Sequence, residues 1–103
     1  MKRQVIFAEK AKRDLRELHR YISENDDPRR ADGYLDRIEV WCRSLDTFPE
    51  RGEDLGDVRR GLRKAGFERR ISILFAVKPR HVYVLRVVYG GQDIGRALKS
   101  LET

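Results

Sequence analysis

Residues 9–24 read EKAKRDLRELHRYISE, and the apolar members Ala11, Leu15, Leu18 and Ile22 fall four, three and four positions apart. That spacing lays one apolar stripe along a helix, with Lys, Arg and Glu on the remaining face. Asn25-Asp26-Asp27-Pro28 breaks the pattern, and Asp27 suits an N-cap while Pro28 suits the first helical position. A second helix therefore starts there and carries Ala31, Tyr34, Leu35, Ile38, Trp41, Cys42 and Leu45 at three-and-four spacing, until Phe48-Pro49 forbids continuation. Two helices joined by so short a turn pack antiparallel as a hairpin.

On the N-terminal side, Gln4 to Ala8 is short, partly β-branched and bounded by charge, which predicts a first strand. Glu50 to Asp57 carries two glycines and several acids and reads as a loop. Beyond it, Arg59-Arg60-Gly61-Leu62-Arg63-Lys64 predicts a short basic strand and Arg69 to Val77 a longer one. After a turn at Lys78-Pro79-Arg80-His81, the run Val82 to Tyr89 is the most β-rich in the chain. It is apolar on both faces, as expected of a central, covered strand. Gly90-Gly91 ends it, and Ile94, Ala97, Leu98 and Leu101 in the tail from Asp93 are spaced for a short closing helix that needs docking to be stable. The expected fold is α+β: an N-terminal strand and a C-terminal three-strand meander form a small, mainly antiparallel sheet packed against the helical hairpin.

With 103 residues, one domain spanning 1–103 is expected, without an interdomain cleft. Its hydrophobic fraction of 40% supports a modest core under a surface in which 39% of all residues are charged. A net charge of +6, from 23 Lys and Arg against 17 Asp and Glu, favours an acidic partner such as nucleic acid or an acidic protein surface. Cys42 is the single cysteine, which excludes an internal disulfide and a cysteine zinc site and fits a reducing, cytoplasmic compartment. No run of about 18 apolar residues is present, so no membrane partner is expected. Asp26, Asp27, Glu50, Glu53, Asp54 and Asp57 lack the spacing and glycine placement of a calcium loop, and Gly90-Gly91 lacks the rest of a phosphate-binding motif, so no metal or cofactor is expected.

The order of elements and the residues at their joints resemble the RelE/ParE toxin superfamily and, within it, the ParE branch. The matching pieces are Ala11-x-x-Asp14-Leu15-x-x-Leu18-x-x-Tyr21-Ile22, Pro28-x-x-Ala31-x-x-Tyr34-x-x-x-Ile38 and Phe48-Pro49-x-x-Gly52. Gly61-Leu62-Arg63, Arg70-Ile71-x-x-x-Phe75 and Val84-Leu85-Arg86-Val87-x-Tyr89-Gly90-Gly91-x-Asp93 complete the set. The long hairpin before Phe48-Pro49 is similar to ParE rather than to the more compact RelE nucleases. The resemblance implies the toxin half of a type II toxin–antitoxin pair that traps or inhibits DNA gyrase by binding. A cognate antitoxin would neutralise it by wrapping over it as a hetero-oligomer. Many relatives carry His-Gly-Arg-Arg-Asp where this chain has Tyr89-Gly90-Gly91-Gln92-Asp93, so two basic positions are missing. The alternative from a different class is a ribosome-dependent mRNA endonuclease of the RelE type, and a third reading is a toxin reduced to a binding partner.

Arg59, Arg60, Arg63, Lys64, Arg69 and Arg70 stand against the lone acid Glu68 in residues 59–70, and either form a target-binding patch or solvate a strand edge. Arg86 interrupts an apolar strand, so it is either paired, for instance with Asp93, or in contact with the target. Arg59, Arg60, Arg63, Arg70, Arg86 and Asp93 are the target-binding candidates. Nuclease chemistry needs a group that moves a proton, which Arg does poorly. Of His19, His81, Tyr83 and Tyr89, Tyr89 with Arg86 is the best nuclease-like pair. Tyr34, Trp41 and Phe48 read first as core, but any one left partly exposed would make a natural anchor for the antitoxin.

Overall fold

The stripe of residues 9–24 forms the inner face of α1 (Glu9–Asn25). In the computed structural model, which describes residues 2–90 and 94–101, Ala11 and Leu18 are buried and Leu15 and Ile22 pack against the same core. The chain then turns into α2 (Pro28–Arg43), whose first turn is capped as the sequence suggests: the Asp27 side chain accepts the Arg29 N–H at 2.8 Å and Pro28 opens the helix. A 3-10 turn over Ser44–Asp46 ends α2 and buries Leu45 completely.

The strands are β1 (Gln4–Phe7), β2 (Glu53–Asp54), β3 (Leu62–Phe67), β4 (Ile71–Val77) and β5 (His81–Tyr89). They form one sheet in the order β1-β5-β4-β3-β2. β1 runs parallel to β5 and the other neighbours are antiparallel. A short helix, α3 (Ile94–Lys99), follows. The expected α+β sheet and hairpin are therefore present, with an added two-residue strand inside the segment that reads as a loop.

Both faces of the sheet are covered. The hairpin closes one face over Val5, Ile71, Ile73, Phe75, Val82, Val84 and Val87. On the opposite face α3 sets Ala97 against Leu74 and Val88, with Ile94, Leu98 and Leu101 around them. Val84 and Val87 share a face although three residues apart, because the register with β4 slips at Leu74/Phe75 and leaves Leu85 as an extra residue in β5. Each of these fully buried aliphatic side chains contributes about 1.5–3 kcal/mol relative to exposure.

Two strand boundaries differ from the expectation, each for a backbone reason. Arg59 and Arg60 precede β3 rather than belonging to it. The chain turns at Gly61, with φ +82°, where a Cβ would lie 2.7 Å from the Val77 carbonyl oxygen. Arg69 and Arg70 likewise precede β4. Glu68 and Arg69 have φ of +47° and +66°, and the Arg70 N–H bonds back to the Phe67 carbonyl at 3.3 Å, giving a tight turn with two left-handed central residues.

Candidate functional site

Beyond the end of β1, β5 loses its neighbour: the parallel pairing stops at Phe7↔Val84, leaving Leu85–Tyr89 without a strand on that side among the described residues. Asp14 of α1 takes that place. Its carboxylate accepts the Val87 N–H at 2.9 Å and, bidentately, Arg86 Nε at 2.7 Å and Nη2 at 3.0 Å, while Arg86 Nη1 donates to Ser100 Oγ at 2.8 Å. The side chains are only 19% (Arg86) and 10% (Asp14) exposed. The hydrogen bond to Asp14 raises the Arg86 pKa, opposed by the smaller effect of burial. Arg86 is thus a fastener between β5, α1 and α3. Asp93, the partner considered from the sequence, lies outside the described residues, as do Gly91 and Gln92.

At the end of β5, Tyr89 enters a cleft of about 640 Å³ between the tip of the hairpin and the β3–β4 turn. α1 supplies Tyr21, α2 supplies Arg29, Arg30, Tyr34 and Arg37, and the turn supplies Glu68 and Arg70. The Tyr21 and Tyr89 rings are 5.5 Å apart and tilted by 53°. Arg70 Nη1 donates to the Tyr89 hydroxyl at 3.5 Å, and that hydrogen bond raises the Arg70 pKa. Arg37 donates twice to Glu68, at 2.8 and 3.1 Å, and its guanidinium lies 5.2 Å from the centre of the Tyr34 ring. The hydrogen bond from Arg37 holds the Glu68 carboxyl below its ordinary value, and burial, followed by the charge of Glu68, raises the Tyr34 phenol. Neither histidine lines this cleft: His19 bonds Asp32 at 2.7 Å across the hairpin, and His81 stacks on Tyr83 with centroids 5.8 Å apart. The arrangement can stack flat groups and hold anions, and Tyr89 meets Arg70 in it.

The basic run 59–70 is dispersed. Arg63 donates to the carbonyls of Arg51 and Gly52 and faces Asp54 at 3.7 Å, so it ties down the loop that carries β2, and Lys64 faces Glu53 at 3.6 Å. Arg59 reaches the Leu101 carbonyl at 3.3 Å, on the side of α3, and Arg60 is exposed. Arg69 sits exposed in the turn, and only Arg70 of this run lines the cleft.

Tyr34, Trp41 and Phe48 divide in the same way. Tyr34 and Trp41 pack partly into the core, with Trp41 edge-on to Phe67 and Phe75 at 6.5 and 6.3 Å. Phe48 is 61% exposed and Val40, beside Trp41, 70% exposed. Val40, Trp41 and Phe67 floor an open groove of about 530 Å³ between α2 and β3. Arg51 lies over both the Trp41 and Phe48 rings, at 5.4 and 5.5 Å. Val40 is silent in the sequence because it stands one position off the buried stripe, where an isolated apolar residue carries no signal.

The profile of the family described as the ParE toxin of type II toxin–antitoxin systems, parDE, matches residues 5–94. The chain belongs to the ParE toxin family. Toxin ParE3 of Caulobacter vibrioides is 31% identical over 85 residues, covering 82% of this chain and 84% of the relative. A structure of the chromosomal ParDE toxin–antitoxin system from P. aeruginosa superposes with a TM-score of 0.73 at 21% identity, covering 85% of this chain and 96% of that one, a likeness of fold. The span matched to the ParE family takes in the hairpin, all of the sheet but Gln4, the Asp14–Arg86 pair, the cleft and the groove along α2. α3 beyond Ile94 falls outside it.

Proposed function

We propose that this ParE-family toxin arrests growth by binding DNA gyrase and that a cognate antitoxin neutralises it by covering the groove along α2. The carrying observation is Arg86: the arginine that a RelE-like reaction would place beside Tyr89 is tied into a bidentate pair with Asp14. Among the described residues, no histidine lines the cleft that Tyr89 enters. The two carboxylates that line the cleft are each held by an arginine, Asp26 by Arg30 at 3.4 Å and Glu68 by Arg37 at 2.8 Å, so neither is a free acceptor for the proton of a ribose 2′-hydroxyl, which favours action by binding. For the antitoxin, the exposed Phe48 and Val40 beside Trp41 offer anchors to the apolar face of a helix. β2 covers only Arg63 and Lys64 on the outer edge of β3, so Ala65–Phe67 gives an extended antitoxin segment an edge next to that groove.

The second reading, mRNA cleavage on the ribosome, is favoured by the Arg70–Tyr89 contact. Purified toxin added to a gyrase supercoiling and DNA-cleavage assay separates the two. Inhibition or trapped cleavage, relieved by antitoxin, supports the proposal. Intact gyrase activity together with cut mRNA in a translating extract, abolished by Tyr89→Phe, overturns it. Hydrogen exchange tests the antitoxin surface: protection is expected at Val40–Phe48 and Ala65–Phe67, and unchanged exchange at both refutes it.

A further inference from the structure

The cleft around Tyr89 has more recognition chemistry than the fold uses. Four guanidinium groups line it, from Arg29, Arg30, Arg37 and Arg70, against the two carboxylates of Asp26 and Glu68. Both carboxylates are already engaged, Asp26 by Arg30 at 3.4 Å and Glu68 by Arg37 at 2.8 Å. Arg29 and Arg70 are left without an acidic partner among the described residues and reach the cleft from different elements: one on the first turn of α2, the other just before β4. Three tyrosines, Tyr21, Tyr34 and Tyr89, line the same cleft. Tyr21 is 51% exposed although its ring leans on Tyr89, an arrangement that a purely structural aromatic pair does not require. Hydrophobic burial explains Tyr34, which packs on Phe67 at 6.2 Å, but explains neither the outward face of Tyr21 nor the two arginines that face no carboxylate.

We propose that this cleft binds a short single-stranded segment of nucleic acid without cleaving it, the phosphodiester lying between Arg29 and Arg70 and a base stacking on Tyr21. Guanidinium groups match phosphate oxygens bidentately, and phenol rings accept the flat face of any base. The volume of about 640 Å³ is in the range of sites for small ligands, so it takes one or two nucleotides. Single strands fit and duplexes do not, because bases in a duplex are stacked on each other and present no face to a ring. An acidic peptide would satisfy the arginines but leave the tyrosine platform unused. Binding of this kind goes beyond the action on gyrase and stands or falls independently of it.

The test is fluorescence anisotropy of the full chain with a labelled 12-nucleotide mixed-sequence DNA strand, the same sequence as RNA, and its duplex. The variants are Tyr21→Leu, Tyr21→Phe, Arg29→Ala with Arg70→Ala, and the control pair Arg59→Ala with Arg60→Ala. All alter exposed side chains, and circular dichroism verifies their fold. Single strands are expected to bind more tightly than duplex. Tyr21→Leu weakens binding about tenfold while Tyr21→Phe retains it, as removal of a single stacking platform predicts. The Arg29/Arg70 pair makes the slope of log affinity against log salt shallower by roughly 0.7, for the one phosphate that is no longer neutralised. The control pair, equal in charge but outside the lining of the cleft, leaves the preference for single strands unchanged. Equal losses in the two arginine pairs would reduce the effect to net charge and overturn the proposal, as would equal binding of duplex. Displacement of the strand by a polyglutamate peptide at the same concentration as by unlabelled strand would overturn it in favour of acidic peptides. A mononucleotide competing as well as the strand, per phosphate, would overturn it in favour of free nucleotides.

Discussion

Replacing Asp14 with alanine removes three hydrogen bonds at once, two from Arg86 and one from the Val87 N–H, and with them the link that holds α1 to the open side of β5. The charge left behind on Arg86 is 19% exposed, so water reaches it only partly. Removing one partner of a buried ion pair costs about 3–5 kcal/mol, and partial access by water together with the remaining bond to Ser100 brings the expected loss to about 3 kcal/mol. For a domain of this size that corresponds to a fall in Tm on the order of 12–24 °C. Urea unfolding of wild type, Asp14→Ala, Arg86→Ala and the double variant gives the pair energy as a cycle, with an expected coupling of about 1.5–3 kcal/mol. The double replacement Asp14→Leu with Arg86→Met should recover most of the loss, because an apolar pair has no charge to desolvate. It should stay roughly 1–2 kcal/mol short, because the Val87 N–H then lacks its acceptor. A loss below about 0.5 kcal/mol for Asp14→Ala, the range of ordinary surface changes, would refute the assignment of Arg86 as a fastener.

Phe48→Ala should change stability by less than about 0.5 kcal/mol, since the ring is 61% exposed, yet weaken antitoxin binding by about tenfold or more in a titration. Unchanged affinity would move the docking surface elsewhere. Glu68 has a folded pKa below its ordinary value of 4.5 because Arg37 donates to it, so its contribution is complete above that value and is lost as pH falls through the depressed one. Glu68→Gln should therefore flatten the acid limb of the stability curve in urea titrations below about pH 4.5, and a limb identical to wild type would count against the pair. Burial pushes the Cys42 thiol up to about 12, so a thiol reagent at about pH 8 should label the native chain only as fast as it opens, with full labelling in denaturant.

Much of the fold can be read locally. The Ala11, Leu15, Leu18, Ile22 stripe and the Asp27-Pro28 start of α2 depend on neighbours within a turn or two, and both stand in the structure. The β3–β4 turn is not legible in this way: tight turns with two left-handed residues usually announce themselves with Asn-Gly or Asp-Gly, and Glu68-Arg69 does not. Arg69 and Arg70 therefore read as the start of a strand. The partner of Arg86 is out of reach for another reason, since Asp14 lies 72 residues away and meets it only once α1 crosses the open side of β5. The cleft is similar in kind. Tyr21, Arg29, Arg70 and Tyr89 come from α1, α2, the β3–β4 turn and β5, and no local pattern ties them together. Charge counting finds the basic run 59–70, but only the turn at Gly61 and the acids of β2 decide that Arg63 and Lys64 are already engaged.

Action on gyrase by binding is tested most sharply by expressing the toxin in growing bacteria, with DNA breaks and messenger integrity followed in the same cells, with and without its antitoxin. Double-strand breaks and altered plasmid supercoiling are expected within a generation, with mRNA uncut and both DNA effects suppressed by the antitoxin. Intact DNA and normal supercoiling beside cleaved mRNA would contradict a gyrase-directed toxin and point to RNA cleavage instead.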